Sequence, residues 1–138
     1  MKSTFVDTSA FVALVDRKDR HHGRAKRALR TFGKRRTPLV TSTYVADEVI
    51  TLVRMRIGHE AAVRAGEALF GSRWCQLVDV DAAVRASAWS TFVRYSDHEF
   101  SFTDCTSFAV MHALGMEQAF SFDRTDFAAA GFIVVPST

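Results

Sequence analysis

Cysteine is scarce in this chain: Cys75 and Cys105 are the only two in 138 residues. They form neither a zinc-finger nor a redox spacing, which leaves out metal ribbons and disulfide scaffolds. Two lone thiols are expected to be reduced residues of a cytoplasmic protein. Proline and glycine are also few, at two and seven. No Pro- or Gly/Ser-rich linker, low-complexity tract or repeat interrupts the chain, and no glycine-rich loop is available to cradle phosphates. No apolar run approaches membrane-spanning length, so no membrane association is expected. Asp7 breaks the first apolar run where a secretory leader would need continuity. The five histidines include no pair at metal-ligand spacing on one face. With 48% hydrophobic residues, the chain is expected to form one compact domain over residues 1–138 with a real core.

The net charge of +3 conceals a segregated distribution. Ten of the 18 Lys and Arg residues lie between Arg17 and Arg36, opposed only by Asp19. A basic surface of this kind suits a polyanion held by its phosphates. A solvated helix face has the same composition, so the cluster alone does not decide between them.

Short β-like runs alternate with helical patterns, the order of a parallel α/β sheet. Strands are expected at 3–6, 39–41, 74–80, 119–122 and 132–135. Helices are expected at 9–15, 21–36, 42–57, 59–70, 82–95, 103–114 and 123–130, stopped by Gly58, Gly71, Gly115 and Gly131 among others.

Against this frame four carboxylates stand out. Asp7 ends the first strand and Asp123 the fourth. Glu48 borders the apolar stripe of Val45, Val49 and Leu52, whereas Asp47 points away. Asp104 lies in the first turn of a helix, in line with Phe108 and Met111. Each has an ordinary alternative as a helix cap or a boundary acid, and Ser101 with Asp104 has the spacing of a capping box. Their joint arrival at the carboxyl edge of a parallel sheet is less ordinary, because such sheets bind ligands there. Four acids packed together repel unless a cation neutralises them, and hard ions such as Mg²⁺ or Mn²⁺ prefer oxygen ligands. Ser9 and Thr103 offer hydroxyls beside Asp7 and Asp104. Asp126 is the near neighbour of Asp123, and its place on the following turn suggests a lesser role.

Other chemistries fit less well. Cys105 adjoins an acid, which raises a thiol's pKa. Ser9 stands where a phosphoaspartyl phosphatase needs a second acid. A receiver domain needs paired acids after its first strand and a Lys after its last, and neither is present. The alternative that remains is a non-catalytic acidic-pocket module that binds nucleic acid or signals.

The segments Phe5-Val6-Asp7-Thr8-Ser9-Ala10, Tyr44-Val45-Ala46-Asp47-Glu48, Ser101-Phe102-Thr103-Asp104-Cys105 and Phe120-Ser121-Phe122-Asp123-Arg124 occur in the order found in PIN-domain proteins. Over essentially its whole length the chain resembles that family, and in particular the VapC-type ribonuclease toxins of type II toxin–antitoxin pairs. The resemblance implies a single PIN domain over residues 1–138, a three-layer α/β/α sandwich around a mostly parallel sheet of four to five strands. It implies a metal-dependent endoribonuclease in which Asp7, Glu48, Asp104 and Asp123 hold Mg²⁺ or Mn²⁺, with Ser9 and Thr103 supporting them. It implies an RNA substrate, a cognate antitoxin and a homodimer. Arg24, Arg27, Arg30 and Arg124 are the expected phosphate contacts.

Overall fold

A computed structural model describes residues 2–137. In chain order the elements are β1 (Thr4–Val6), α1 (Thr8–Val15), α2 (His22–Arg35), β2 (Leu39–Ser42), α3 (Thr43–Arg56), α4 (His59–Phe70), β3 (Gln76–Val78), α5 (Ala82–Arg94), α6 (Phe102–Ala113), β4 (Gln118–Phe120), α7 (Arg124–Ala129) and β5 (Ile133–Val135). The sheet has five strands in the order β3-β2-β1-β4-β5, and every pair is parallel.

β1 is central because it can afford no solvent. Thr4, Phe5 and Val6 are all buried, as a strand covered on both faces requires. Its register places Phe5 beside Val40 on one side and Ala119 on the other. From β1 the chain winds outward through β2 to β3. It then returns to β4 on the opposite side and ends at β5. The winding direction therefore reverses between β1 and β4, and a crevice opens at the carboxyl ends of these two strands.

The helices follow local chemistry. Ser42 caps α3 through its hydroxyl, which accepts the Val45 amide, and Asp81 caps α5 by accepting the Val84 amide. Val45, Val49 and Val53 recur at i+4 on α3 and are buried against the sheet. Gly58 takes φ 149° between α3 and α4, a conformation that excludes most side chains.

Two strands end two residues earlier than the sequence suggests. β3 covers 76–78 rather than 74–80, because Trp74 leaves the edge to stack on Phe11 at 5.9 Å. β4 stops at Phe120, and Ser121 and Phe122 turn toward the crevice. No helix among the described residues is long and apolar enough to cross a membrane.

Candidate metal centre

The crevice between β1 and β4 opens into a cleft of about 380 Å³. Seven acids line it: Asp7, Asp19, Glu48, Glu99, Asp104, Asp123 and Asp126. The basic groups on its wall are His21 and Arg56, so the interior is strongly electronegative.

Asp7 sits deepest. Its amide donates to the Phe120 carbonyl at 3.0 Å, which carries the β1–β4 ladder to its last rung. Its carboxylate does not cap α1, so the ordinary role for an acid at this place is unfilled. Instead Oδ2 accepts the hydroxyls of Ser9 at 2.9 Å and Ser121 at 2.8 Å. Each hydroxyl in turn accepts a backbone amide, Phe122 N–H onto Ser9 and Asp123 N–H onto Ser121, both at 2.9 Å. One donor and one acceptor role are thus used on each Ser, and the end of β4 is tied to Asp7. Burial raises the Asp7 pKa above the ordinary carboxylate value; the two hydroxyls oppose that rise and Glu48 adds to it.

Asp104 serves two roles. With Ser101 it completes a capping box: Asp104 N–H donates to the Ser101 hydroxyl at 2.9 Å, and Ser101 N–H to Asp104 Oδ2 at 3.0 Å. It is also buried and faces the cleft. Burial, with added repulsion from Asp7 and Asp123, pushes its pKa up to about 7. Asp123 is pushed up to about 6 by burial and then by Asp126. Carboxyl oxygens of Asp104, Asp123 and Asp126 all lie within 4.8 Å of one another. Asp7 and Glu48 line the same cleft outside that triad.

The donor set fits a hard divalent ion. It is made of carboxylate oxygens, with hydroxyls nearby and no buried thiol able to ionise. Burial, and then Asp104, push the Cys105 thiol up to about 11. Burial first, and then mutual repulsion, raise the pKa values of Asp7, Asp104 and Asp123, and a cation would oppose that rise. Thr8 Oγ1 lies in the cleft wall, buried, without a hydrogen-bond partner among the described residues. Such an atom is costly unless an occupant or its water satisfies it.

A model of the PIN domain matches residues 4–133. The chain belongs to the PIN domain family. This PIN domain is 42% identical over 131 residues to the 23S rRNA-specific endonuclease VapC20 of Mycobacterium tuberculosis, covering 95% of this chain and 96% of that protein. The crystal structure of that VapC20, described as a sarcin-ricin loop cleaving toxin, superposes with a TM-score of 0.85 over 95% of this chain and 97% of the other. VapBC2 from Rickettsia felis, bound to a promoter DNA fragment, shares the fold at a TM-score of 0.72 with 12% identity, covering 98% of each chain.

The PIN domain gathers Asp7, Glu48, Asp104 and Asp123 into one cleft, and Ser9 with them. Thr103 does not line it; its carbonyl accepts the hydroxyls of Thr106 and Ser107 within α6. Asp126 stands closer than its place in the sequence suggests. Asp123 is the N-cap of α7 and Asp126 its third residue, and helix geometry sets those two side chains together. Of the arginines expected to hold phosphates, none lines the cleft, although Arg24 lies over the ring of Phe122, which does. Arg24 and Arg124 donate to the carbonyls of Ser137 and Pro136 and so anchor the C-terminal segment. Arg27 and Arg30 are exposed on α2, away from the cleft. The sequence reading passed over Ser121. Its signal was the Ser121-Phe122-Asp123 spacing, which suits a hydroxyl accepting the amide two residues on.

Proposed function

We propose that residues 1–138 act as one PIN domain, a divalent-metal-dependent endoribonuclease that forms the toxin half of a cytoplasmic toxin–antitoxin pair. The observation that carries this reading is the close approach of Asp104, Asp123 and Asp126 in a cleft shared with Asp7 and Glu48. Its likeness to VapC20 points to 23S ribosomal RNA, at the sarcin-ricin loop, as the substrate.

Asp104, Asp123 and Asp126 would hold Mg²⁺ or Mn²⁺, with Asp7 and Glu48 acting directly or through water. A divalent ion there supplies charge neutralisation at the phosphodiester and acidifies water. Ser9 and Ser121 fix the Asp7 carboxylate so that it need not reorganise. Water adds to phosphorus and the 3′ oxygen leaves, giving a 5′-phosphate and a 3′-hydroxyl.

The partners follow from the surface. Met55, Ile57, Val63 and Phe70 are exposed along α3 and α4, and suit an apolar antitoxin segment. Val53 and Leu69 of the same two helices are core residues and take no part in that surface. Trp89, Phe92 and Val93 are exposed on α5 and suit a second copy of the chain.

The test is incubation of purified protein with ribosomes and with total RNA, with Mg²⁺, Mn²⁺ or EDTA, followed by mapping of the RNA ends. Metal-dependent cleavage in the 23S RNA, abolished in Asp104→Asn, is expected. RNA left intact under all three conditions returns the chain to the non-catalytic alternative.

A further inference from the structure

The cleft is acidic, yet its proposed substrate is a polyanion, so phosphates need a cationic route to it. Arg56 stands at the junction. It lines the acidic cleft and also a neighbouring groove of about 560 Å³, whose walls carry Arg17, Lys18, Arg64 and Trp74. Asp19 holds Arg56 at 3.6 Å, and its other oxygen accepts the His21 amide at 2.8 Å, which ties Asp19 to the α1–α2 turn. Arg17 and Trp74 continue into a second groove of about 650 Å³ with Lys26 and Arg73. Among the described residues, Asp16 is the one acid lining the two grooves. Trp74 is 40% exposed, and its ring stacks on Phe11 with 25° between planes, which holds the indole firmly at the groove wall.

Resting on the reading of the chain as a ribonuclease, we propose that the RNA strand enters the cleft over Arg56 along this groove. Arg56, Arg17 and Arg64 take successive phosphates, and Trp74 stacks a base. A basic track with an aromatic platform is how single strands are held without sequence preference. The candidate phosphate contacts of the basic Arg17–Arg36 segment shift accordingly: Arg17 and Lys18 belong to the track, whereas Arg27 and Arg30 stand outside it.

Binding of a fluorescent single-stranded oligoribonucleotide, measured by anisotropy in EDTA across a salt series, separates this path from catalysis. The side chains of Arg17, Arg56 and Arg64 are exposed, so their replacement by Gln leaves the fold intact. Arg56→Gln should weaken binding and reduce the salt slope by roughly 0.7, the loss of one phosphate contact. The Arg17→Gln/Arg64→Gln pair should reduce it by about twice that. Arg27→Gln/Arg30→Gln should leave it unchanged. In Trp89→Phe protein the remaining Trp74 fluorescence should be quenched by RNA. Unchanged binding in Arg56→Gln and in the Arg17/Arg64 pair overturns the path, even if cleavage with Mg²⁺ persists. So does a pair that loses capture of the antitoxin while binding RNA normally, since the groove is then a protein interface. Failure of wild-type protein to bind RNA in EDTA also overturns it, while the cleavage reading stands or falls on the metal assay alone.

Discussion

Asp7 and Asp104 are kept at different depths by different devices, and the difference is testable. Asp7 relies on Ser9 and Ser121, whose hydroxyls meet at one carboxyl oxygen. Removing either leaves a buried carboxylate short of a donor and free to turn. Ser121→Ala and Ser9→Ala are each expected to lower cleavage about 10- to 100-fold, the usual effect of groups that orient ligands; equal activity to wild type in both sinks the assignment. Asp104 is limited instead by charge. Its pKa, raised to about 7, and that of Asp123, raised to about 6, exceed their unfolded values. The folded metal-free protein therefore binds more protons than the unfolded chain between about pH 4 and 7. The contribution of these two groups to stability is full below the unfolded carboxylate pKa and is lost as pH rises through that window. Thermal melting in EDTA from pH 4.5 to 8 checks the sign, and Mg²⁺ or Mn²⁺ should restore melting temperature at the upper end. Asp104→Asn should abolish cleavage and raise the EDTA melting temperature by about 3–6 °C, since it removes repulsion and keeps the acceptor for Ser101.

At the scale of elements, the site is the end of β1, the end of β4 and the first turns of α6 and α7, with α3 closing one side. Phe120 links the packing of the sheet to this arrangement. It is fully buried, meets Phe32 edge-on at 5.2 Å, and immediately precedes Ser121. Phe120→Ala should cost about 3–5 kcal/mol in urea denaturation, and should reduce cleavage in the fraction that remains folded because Ser121 and Asp123 lose their support. Most of these elements were legible in the sequence, since period and punctuation are local: glycines and serines mark the helix ends, and Asp7 ends a run that can only be a buried strand. The side of α3 was legible too, because Glu48 and Asp47 differ by 100° on a helix, and the first is half-buried while the second is exposed. What was not legible depends on contacts across the fold. Ser121 reaches Asp7 over 114 positions of sequence. Arg24 and Arg124 are taken up by the C-terminal carbonyls, which no local pattern signals. The nearness of Asp126 to Asp123 follows from N-cap and N3 geometry rather than from position at a strand end. Asp126→Asn should therefore weaken Mn²⁺ binding measurably by calorimetry, although less than Asp123→Asn, whose carboxylate also interacts with Asp7.

The whole molecule has an acidic cleft, a basic track and two exposed apolar faces, and the α3–α4 face borders the track at Ile57. Trp89 and Phe92 stack at 5.7 Å on α5 and continue inward through Phe102 to Tyr44, so this face is a rigid aromatic ledge rather than a set of scattered side chains. Trp89 is 57% exposed and Val93 60%, which is costly for a chain that remains alone in water. Two copies meeting through α5 would cover that ledge twice over, as a two-fold contact requires. Sedimentation should show a dimer for the wild type and a monomer for Trp89→Arg/Val93→Glu. Met55→Glu/Val63→Glu, on the α3–α4 face, should keep the dimer and lose the antitoxin. The dimer reading fails if the α5 pair still sediments as a dimer, and the separation of the two faces fails if the α3–α4 pair dissociates it.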